Sequence, residues 1–77
     1  MNQRTIQGIR RIACPELLSL QGELLTQQVI EISRGQVVRY YPFHEELPFT
    51  EWICRRLSLQ KDEHGRLSLW NDQEQII

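Results

Sequence analysis

The sequence has few of the residues that build helical bundles and none of the runs that cross membranes. Alanine, lysine and methionine occur once each among 77 residues, whereas helices favour alanine and lysine on their surfaces. No apolar run approaches the roughly 20 residues that span a bilayer, and the opening residues lack the apolar block of a secretory signal. These absences predict a cytoplasmic protein that is not a helical bundle.

The chain has almost no excess of either charge, and it has only two cysteines. The formal net charge is -1 and the isoelectric point is near 6.1, so the chain has no basic excess to drive non-specific binding of nucleic acid. A chain of this length can bury about 63% of its unfolded surface, which predicts one domain with a thin core. We predict a single small β domain at residues 1–70 and a polar tail at residues 71–77 that frays.

The abundant residues favour strands. Eight isoleucines, three valines and three threonines suit sheets, while ten leucines leave helices open, so periodicity decides. Two β-branched or aromatic runs, at 28–33 and 36–41, flank Arg34 and Gly35, which predicts a hairpin with a positive φ at Gly35. Glu31 then faces solvent, because alternation turns it away from its apolar neighbours.

Alternation also assigns the faces of the strand after this turn and of a second hairpin. Val38 and Tyr40 are predicted to share one face, with Arg39 on the other. Residues 53–60 and 66–70 form the second hairpin, whose buried face consists of four leucines: Leu57, Leu59, Leu67 and Leu69. Arg55 interrupts this pattern, which indicates either a bulge or a carboxylate partner at the rim of the sheet.

The first third of the chain has the weakest periodicity. We predict an opening strand from about Thr5 to Ala13 that Pro15 stops, and a long strand from Leu24 to Ser33. The predicted fold is therefore mainly β, with five or six short antiparallel strands curled into a small barrel or sandwich. A single turn of helix has room near residues 43–52.

Several segments resemble a family of short uncharacterised proteins from gut Bacteroidetes. The segments are GELL at 22–25, VIEI at 29–32, GQVVRYYP at 35–42 and ELPFTEW at 46–52, and the resemblance runs from about residue 22 to residue 59. This family has no assigned activity, so the resemblance implies a context and no mechanism. The hairpin at 29–38 is also similar to the opening hairpin of the β domain in metal-dependent amidohydrolases. No His-x-His metal motif follows it and no chain is left for a barrel, so that likeness concerns fold only.

Residue types that carry chemistry are present without a motif. The soft metal ligands are each ten or more residues apart, which is atypical of zinc sites: they are Cys14, His44, Cys54 and His64. Three glutamates could hold a cation or act as acid and base, although loop glutamates are more often solvated: they are Glu45, Glu46 and Glu51. We therefore predict no catalytic residue, no metal site and no cofactor, with a metal-assisted hydrolase as the least favoured function.

Residues 40–52 hold five of the six aromatic residues. Phe43, Phe49 and Trp52 form either an interaction patch or a plug that folds back and closes the open end of a barrel. A domain this small needs its aromatics for the core, which favours the plug. Trp70 is predicted on the other face of its strand from Leu67 and Leu69, and it is the better candidate for exposure.

Eight of the nine basic residues are arginine, which suits bidentate contacts to carboxylate or phosphate. The predicted interaction surface combines arginines and aromatics: Arg39, Tyr41, Arg56, Arg66 and Trp70. We predict a non-enzymatic protein-interaction or accessory module that uses this surface or a strand edge, with a homodimer as one variant. A small β-barrel that binds single-stranded nucleic acid is the alternative.

Overall fold

The periodic runs of the sequence form seven strands within residues 9–45 and 48–77, which are the residues that the computed structural model describes. The strands are β1 (Ile9–Leu18), β2 (Leu24–Ser33), β3 (Gln36–Pro42), β4 (Thr50–Trp52), β5 (Arg56–Lys61), β6 (Leu67–Asn71) and β7 (Glu74–Gln75). The prediction of a mainly β fold is confirmed. The described residues include no helix, so the region predicted to hold a helical turn contains β4 instead.

The strands form one sheet in the order β3-β2-β1-β5-β6-β7, with β4 beside β1. The sheet is not closed into a barrel. The pairs β1–β2, β2–β3, β5–β6 and β6–β7 are antiparallel. In contrast, β4 and β5 both run parallel to β1, where they pair with residues 11–13 and 16–18 respectively. These parallel contacts arise because the chain crosses back from the end of β3 and then follows the direction of β1.

The first hairpin forms as predicted, and its turn needs two left-handed residues. Arg34 has φ 55° and Gly35 has φ 77°, the pattern of a two-residue type I′ turn. A bulge shifts the register between Glu31 and Ile32. Because of this bulge Val37 is buried and Val38 is half exposed, so the prediction that Val38 faces the same side as Tyr40 is wrong.

Pro15 does not end β1, which continues to Leu18. Proline lacks an N–H group, so it fits a strand only where the ladder does not need a donor. The register of β1 with β2 skips Pro15, and Gln27, across from it, has φ 51°. This irregularity also changes the side of β1 that faces the core, since Cys14 and Leu17 are both fully buried. The predicted start of the strand, before residue 9, lies outside the described residues.

The second hairpin consists of β5 and β6, and the strand predicted to begin at Ile53 is broken. Residues 53–55 link β4 to β5, with the N–H of Arg55 donating to the carbonyl of Ile53 at 2.9 Å. Arg55 is exposed in this link. The interruption of the alternating pattern at Arg55 therefore corresponds to a break between two strands.

Residues 71–77, predicted to fray, are ordered against the sheet. Asp72 has φ 56°, which turns the chain so that β7 pairs with β6. The N–H of Ile76 donates to the carbonyl of Leu69 at 2.8 Å, and Ile76 and Ile77 pack on the core. The tail prediction rested on the polar residues before this terminal apolar pair, whose packing depends on where the chain turns at Asp72.

The core lies on the inner face of the curled sheet. Its buried members come from five strands: Ile12, Cys14, Leu17, Ile30, Ile32, Val37, Leu57, Leu59 and Leu69. β3 and β6 approach each other across this core although they are not neighbours in the sheet. Three of the four predicted leucines are buried, and Leu67 is partly buried.

Candidate interaction face

Strand register brings arginine and aromatic side chains of β1, β3 and β4 together on the outer face of the sheet. Arg11 and Arg39 lie on either side of Glu31, in β1 and β3. Two residues further along the strands, a second row contains β4: Trp52, Ala13, Val29 and Tyr41. Residues in register and two apart point to the same side of a sheet. We call this surface, with Phe43 from the next row, the Arg–aromatic face.

Glu31 is the centre of this face and is only 2% exposed. Arg39 donates from Nε to Oε1, while Arg11 Nε and the Tyr41 hydroxyl donate to Oε2 at 3.0 and 2.8 Å. Burial opposes ionisation of the carboxyl, but the hydrogen bonds from Arg39, Arg11 and Tyr41 outweigh it and lower the pKa to about 2. Glu31 is therefore an ionised carboxylate at neutral pH.

The pKa values of Tyr41 and Arg11 are raised, which keeps these two hydrogen-bond donors to Glu31 protonated. Burial and the hydrogen bond to the carboxylate raise the pKa of Tyr41, and the hydrogen bond to Glu31 raises that of Arg11. Two guanidinium groups around one carboxylate leave a net charge of +1. The cluster is therefore a fixed, cationic part of the face.

Aromatic rings occupy the neighbouring part of the face. The rings of Phe43 and Trp52 meet edge to face, with centroids 5.6 Å apart and planes at 88°, a favourable geometry. The N–H of Phe43 donates to the carbonyl of Gln27 at 3.0 Å, which continues the pairing of β2 with β3. Trp52 Nε1 donates to Cys54 Sγ at 2.9 Å. These contacts fix the two rings on the sheet.

The plug interpretation is wrong for Phe49 and Trp52. Phe49 is 85% exposed and Trp52 is 54% exposed, and the sheet has no barrel end for them to close. The buried core is aliphatic apart from Cys14, with Tyr40 packed against it, and Phe49 and Trp52 remain on the outside. Trp52 is consequently the more exposed tryptophan, whereas Trp70 is partly buried and donates from Nε1 to Ser68 Oγ at 2.9 Å.

The predicted five-residue surface is divided between two regions. Arg39 and Tyr41 lie on the Arg–aromatic face. The others lie on the second hairpin and its link to β1, where Arg56 pairs with Glu16 at 3.1 Å and Arg66 pairs with Asp62 at 3.3 Å. Strand alternation predicts which way a side chain faces, but it cannot tell which strands lie side by side.

The candidate metal and nucleophile residues are dispersed. Cys14 is buried in the core, where burial raises the pKa of its thiol to about 11, whereas Cys54, His44 and His64 are exposed. Glu51 pairs with Arg10 through a hydrogen bond that lowers the pKa of the carboxyl. Within residues 9–45 and 48–77, no three histidine, cysteine or acidic side chains converge on a point that could hold a metal ion. Glu46 lies outside the described residues.

An open depression of about 430 Å³ lies beside the link between β4 and β5. Its lining contains two arginines and two acids: the residues are Glu16, Cys54, Arg55, Arg56, Asn71 and Asp72. Because these charges balance, the depression does not favour a ligand of either sign.

Sequence reasoning missed the two residues that organise the face. Glu31 was assigned to solvent, and Arg11 was not among the residues of the predicted interaction surface. Local spacing gave no direct signal for this pairing. Across a regular two-residue turn Glu31 would lie opposite Val38, and only the bulge between Glu31 and Ile32 places it opposite Arg39.

The described residues contain no helix that is long and apolar enough to cross a membrane. No protein-family model, curated protein or solved structure matches the chain. The resemblance to Bacteroidetes proteins therefore stays a prediction.

Proposed function

We propose that the chain is a non-enzymatic, cytoplasmic protein-interaction module that binds its partner through the Arg–aromatic face. The observation that carries this proposal is the exposure of Trp52 on this face and of Phe49 just before β4. Large aromatic side chains supply much of the energy of protein interfaces. Exposing them to water is unfavourable for an isolated domain, and a partner surface would remove that cost.

The rigidity of the face supports the same proposal. Glu31 in β2 accepts hydrogen bonds from side chains in β1 and β3, and the ring of Phe43 packs edge to face with that of Trp52. Side chains that are already fixed lose little conformational freedom when a partner docks, which favours affinity. Arginine and tryptophan are also the residues most often found where interfaces are energetically strongest.

The edge of the sheet is the second route by which the chain could associate. β3 ends the strand order, so another strand, or a second copy in a homodimer, could pair with it. The bulge after Glu31 and Pro42 at the end of β3 both weaken such pairing. These features favour the face over the edge.

Affinity capture with matched variants tests the proposal. The tagged wild-type chain, the double variant Phe49→Ser/Trp52→Ser and the control Leu20→Ser are each used to retain proteins from lysate of the source organism, washed at high salt. Leu20 is also an exposed apolar residue, but it lies in the turn after β1. We expect the wild type and Leu20→Ser to retain the same stoichiometric protein, and the double variant to lose it.

Three outcomes contradict the proposal. Equal retention by the double variant would move the interface elsewhere, and an eluate without a stoichiometric protein would argue against an interaction module. Retention of nucleic acid that disappears as salt rises would support the alternative of single-stranded nucleic-acid binding, because phosphate contacts weaken steeply with salt.

A further inference from the structure

We infer that the Arg–aromatic face recognises an acidic peptide segment in which a carboxylate and a large apolar side chain are two residues apart. This inference rests on the proposed function and specifies the chemistry of the partner. The carboxylate would bind Arg11 and Arg39 together, and the apolar side chain would pack against Trp52 and Phe43.

The two guanidinium groups converge because they share one carboxylate. Each uses Nε to reach a different oxygen of Glu31. The Arg11 and Arg39 side chains are 33% and 70% exposed, so part of each guanidinium group reaches solvent. A guanidinium has five N–H donors in a planar fork that matches a carboxylate. The pair therefore presents convergent donors with a net positive charge.

The distance between the charged row and the aromatic row sets the spacing of the ligand. Arg11 and Ala13 are two residues apart in β1, and Thr50 and Trp52, their partners in β4, are likewise two apart. Two residues of a strand span about 6.6 Å. An extended peptide that runs along the strands repeats the same distance between side chains i and i+2, which places its acid over the arginines and its apolar residue beside Trp52.

The distribution of charge favours a peptide over a nucleic acid. Three arginines outside the face are paired with nearby acids: Arg10 with Glu51, Arg56 with Glu16 and Arg66 with Asp62. Arg34 lies in the turn between β2 and β3 and Arg55 in the link between β4 and β5, so these two arginines lie outside the strands of the face. A nucleic-acid strand, by contrast, carries a phosphate at every nucleotide and is bound along a continuous basic track. A peptide with one carboxylate near an apolar side chain matches this face, where one cationic cluster lies next to the rings of Phe43 and Trp52.

A nuclear magnetic resonance titration with defined peptides tests the inference. The probe is a capped nonapeptide of glycine and serine that carries one glutamate and, two residues later, one leucine. Two control peptides replace the glutamate with glutamine or place the leucine directly after the glutamate. We expect the probe to shift the Trp52 indole and the backbone amides around Arg39 and Tyr41, and each control peptide to bind about fivefold more weakly.

Matched protein variants give the second arm of the test. Arg39→Gln is expected to weaken probe binding about fivefold, whereas Arg66→Gln, at an exposed and ion-paired arginine of the second hairpin, leaves it unchanged. Amide spectra establish that both variants are folded. Equal loss in the two variants would mean that the peptide follows overall charge, and would overturn the inference.

The remaining outcomes separate the inference from the proposed function. Equal binding of the glutamine peptide, or no shift with any peptide, overturns acidic recognition. If Phe49→Ser/Trp52→Ser still abolishes protein capture in that case, the interaction face stands and only its ligand chemistry is wrong. If a ten-nucleotide oligothymidylate binds the same residues more tightly than the probe peptide does, both the inference and the proposed function are overturned.

Discussion

Glu31 shows how one buried carboxylate can organise a surface. It lies in the central of three strands, and its oxygens receive hydrogen bonds from both neighbours. A buried charge is tolerated only when it is paired and hydrogen-bonded. Glu31 therefore fixes the positions of Arg11, Arg39 and Tyr41, and through them the polar half of the face.

The depressed pKa of Glu31 predicts a loss of stability in acid. Its folded pKa is about 2 against an ordinary value of 4.5, so the stabilisation is complete above pH 4.5 and declines as pH falls towards 2. The shift corresponds to roughly 3 kcal/mol of unfolding free energy. Urea denaturation at a series of pH values between 7 and 2 measures it.

Two variants assign this pH dependence to Glu31. Glu31→Gln removes the titrating group, so we expect lower stability at pH 7 and a flatter pH profile. Glu63→Gln is the control, since the Glu63 side chain is exposed, and it should keep the wild-type profile. An unchanged profile in Glu31→Gln would contradict this role of the cluster.

At the scale of elements, alternation predicted the strands well and their irregularities poorly. β2 has the predicted bounds, and both hairpins are present. The bulge at Val38, the passage of β1 through Pro15 and the break at residues 53–55 were not predicted. Each depends on how a neighbouring strand is registered, and that information is absent from the local pattern of a single strand.

The same limit applies to the candidate site. Arg39 and Tyr41 were predicted as surface residues because they share a strand face. Their association with Trp52 was not predicted, because β4 joins β1 by a parallel contact between residues about 40 positions apart in the chain. Exposure of Phe49 and Trp52 was the less favoured of the two alternatives, since composition does not specify which side of an open sheet is covered.

The turn between β2 and β3 predicts a stabilising substitution. Arg34 occupies a left-handed conformation with φ 55°, which is unfavourable for most residues but accessible to asparagine, and Asn-Gly is a preferred type I′ pair. We expect Arg34→Asn to raise the unfolding free energy by roughly 0.5–1 kcal/mol, as measured by thermal and urea denaturation.

Two further variants separate backbone conformation from charge at this turn. Arg34→Gln removes the charge without the asparagine preference, and it should leave stability close to wild type. Gly35→Ala should lower stability by about 1 kcal/mol, because its φ is 77° while no atom lies within 4 Å of an added Cβ. Equal stability of Arg34→Asn and Arg34→Gln would refute the conformational explanation.

At the scale of the whole molecule, the thin core includes the last residues of the sequence. Ile76 and Ile77 pack against it from beyond β7, and both donate to the carbonyl of Leu69. A domain of this size has little apolar area to spare, so partly buried contacts form a large share of its stability.

Replacing this apolar pair is therefore expected to destabilise the domain. Ile76→Ser/Ile77→Ser should lower the unfolding free energy by about 2 kcal/mol, which corresponds to a decrease in Tm of about 10 °C. Differential scanning calorimetry measures the change. Gln73→Ser, in the exposed turn before β7, is the control; a double variant as stable as this control would mean that the tail does not support the core.

The central position of β1 also gives the folding reaction an order in time. β1, β2 and β3 form a meander of local contacts, whereas β5 reaches β1 only by closing a loop of about 40 residues, as the Glu16–Arg56 pair shows. Long loops close late because their entropy is lost before their contacts form. During synthesis the meander can therefore assemble while one edge of β1 is still open. An open edge pairs readily with another chain, so aggregation is most probable in the interval before β5 docks.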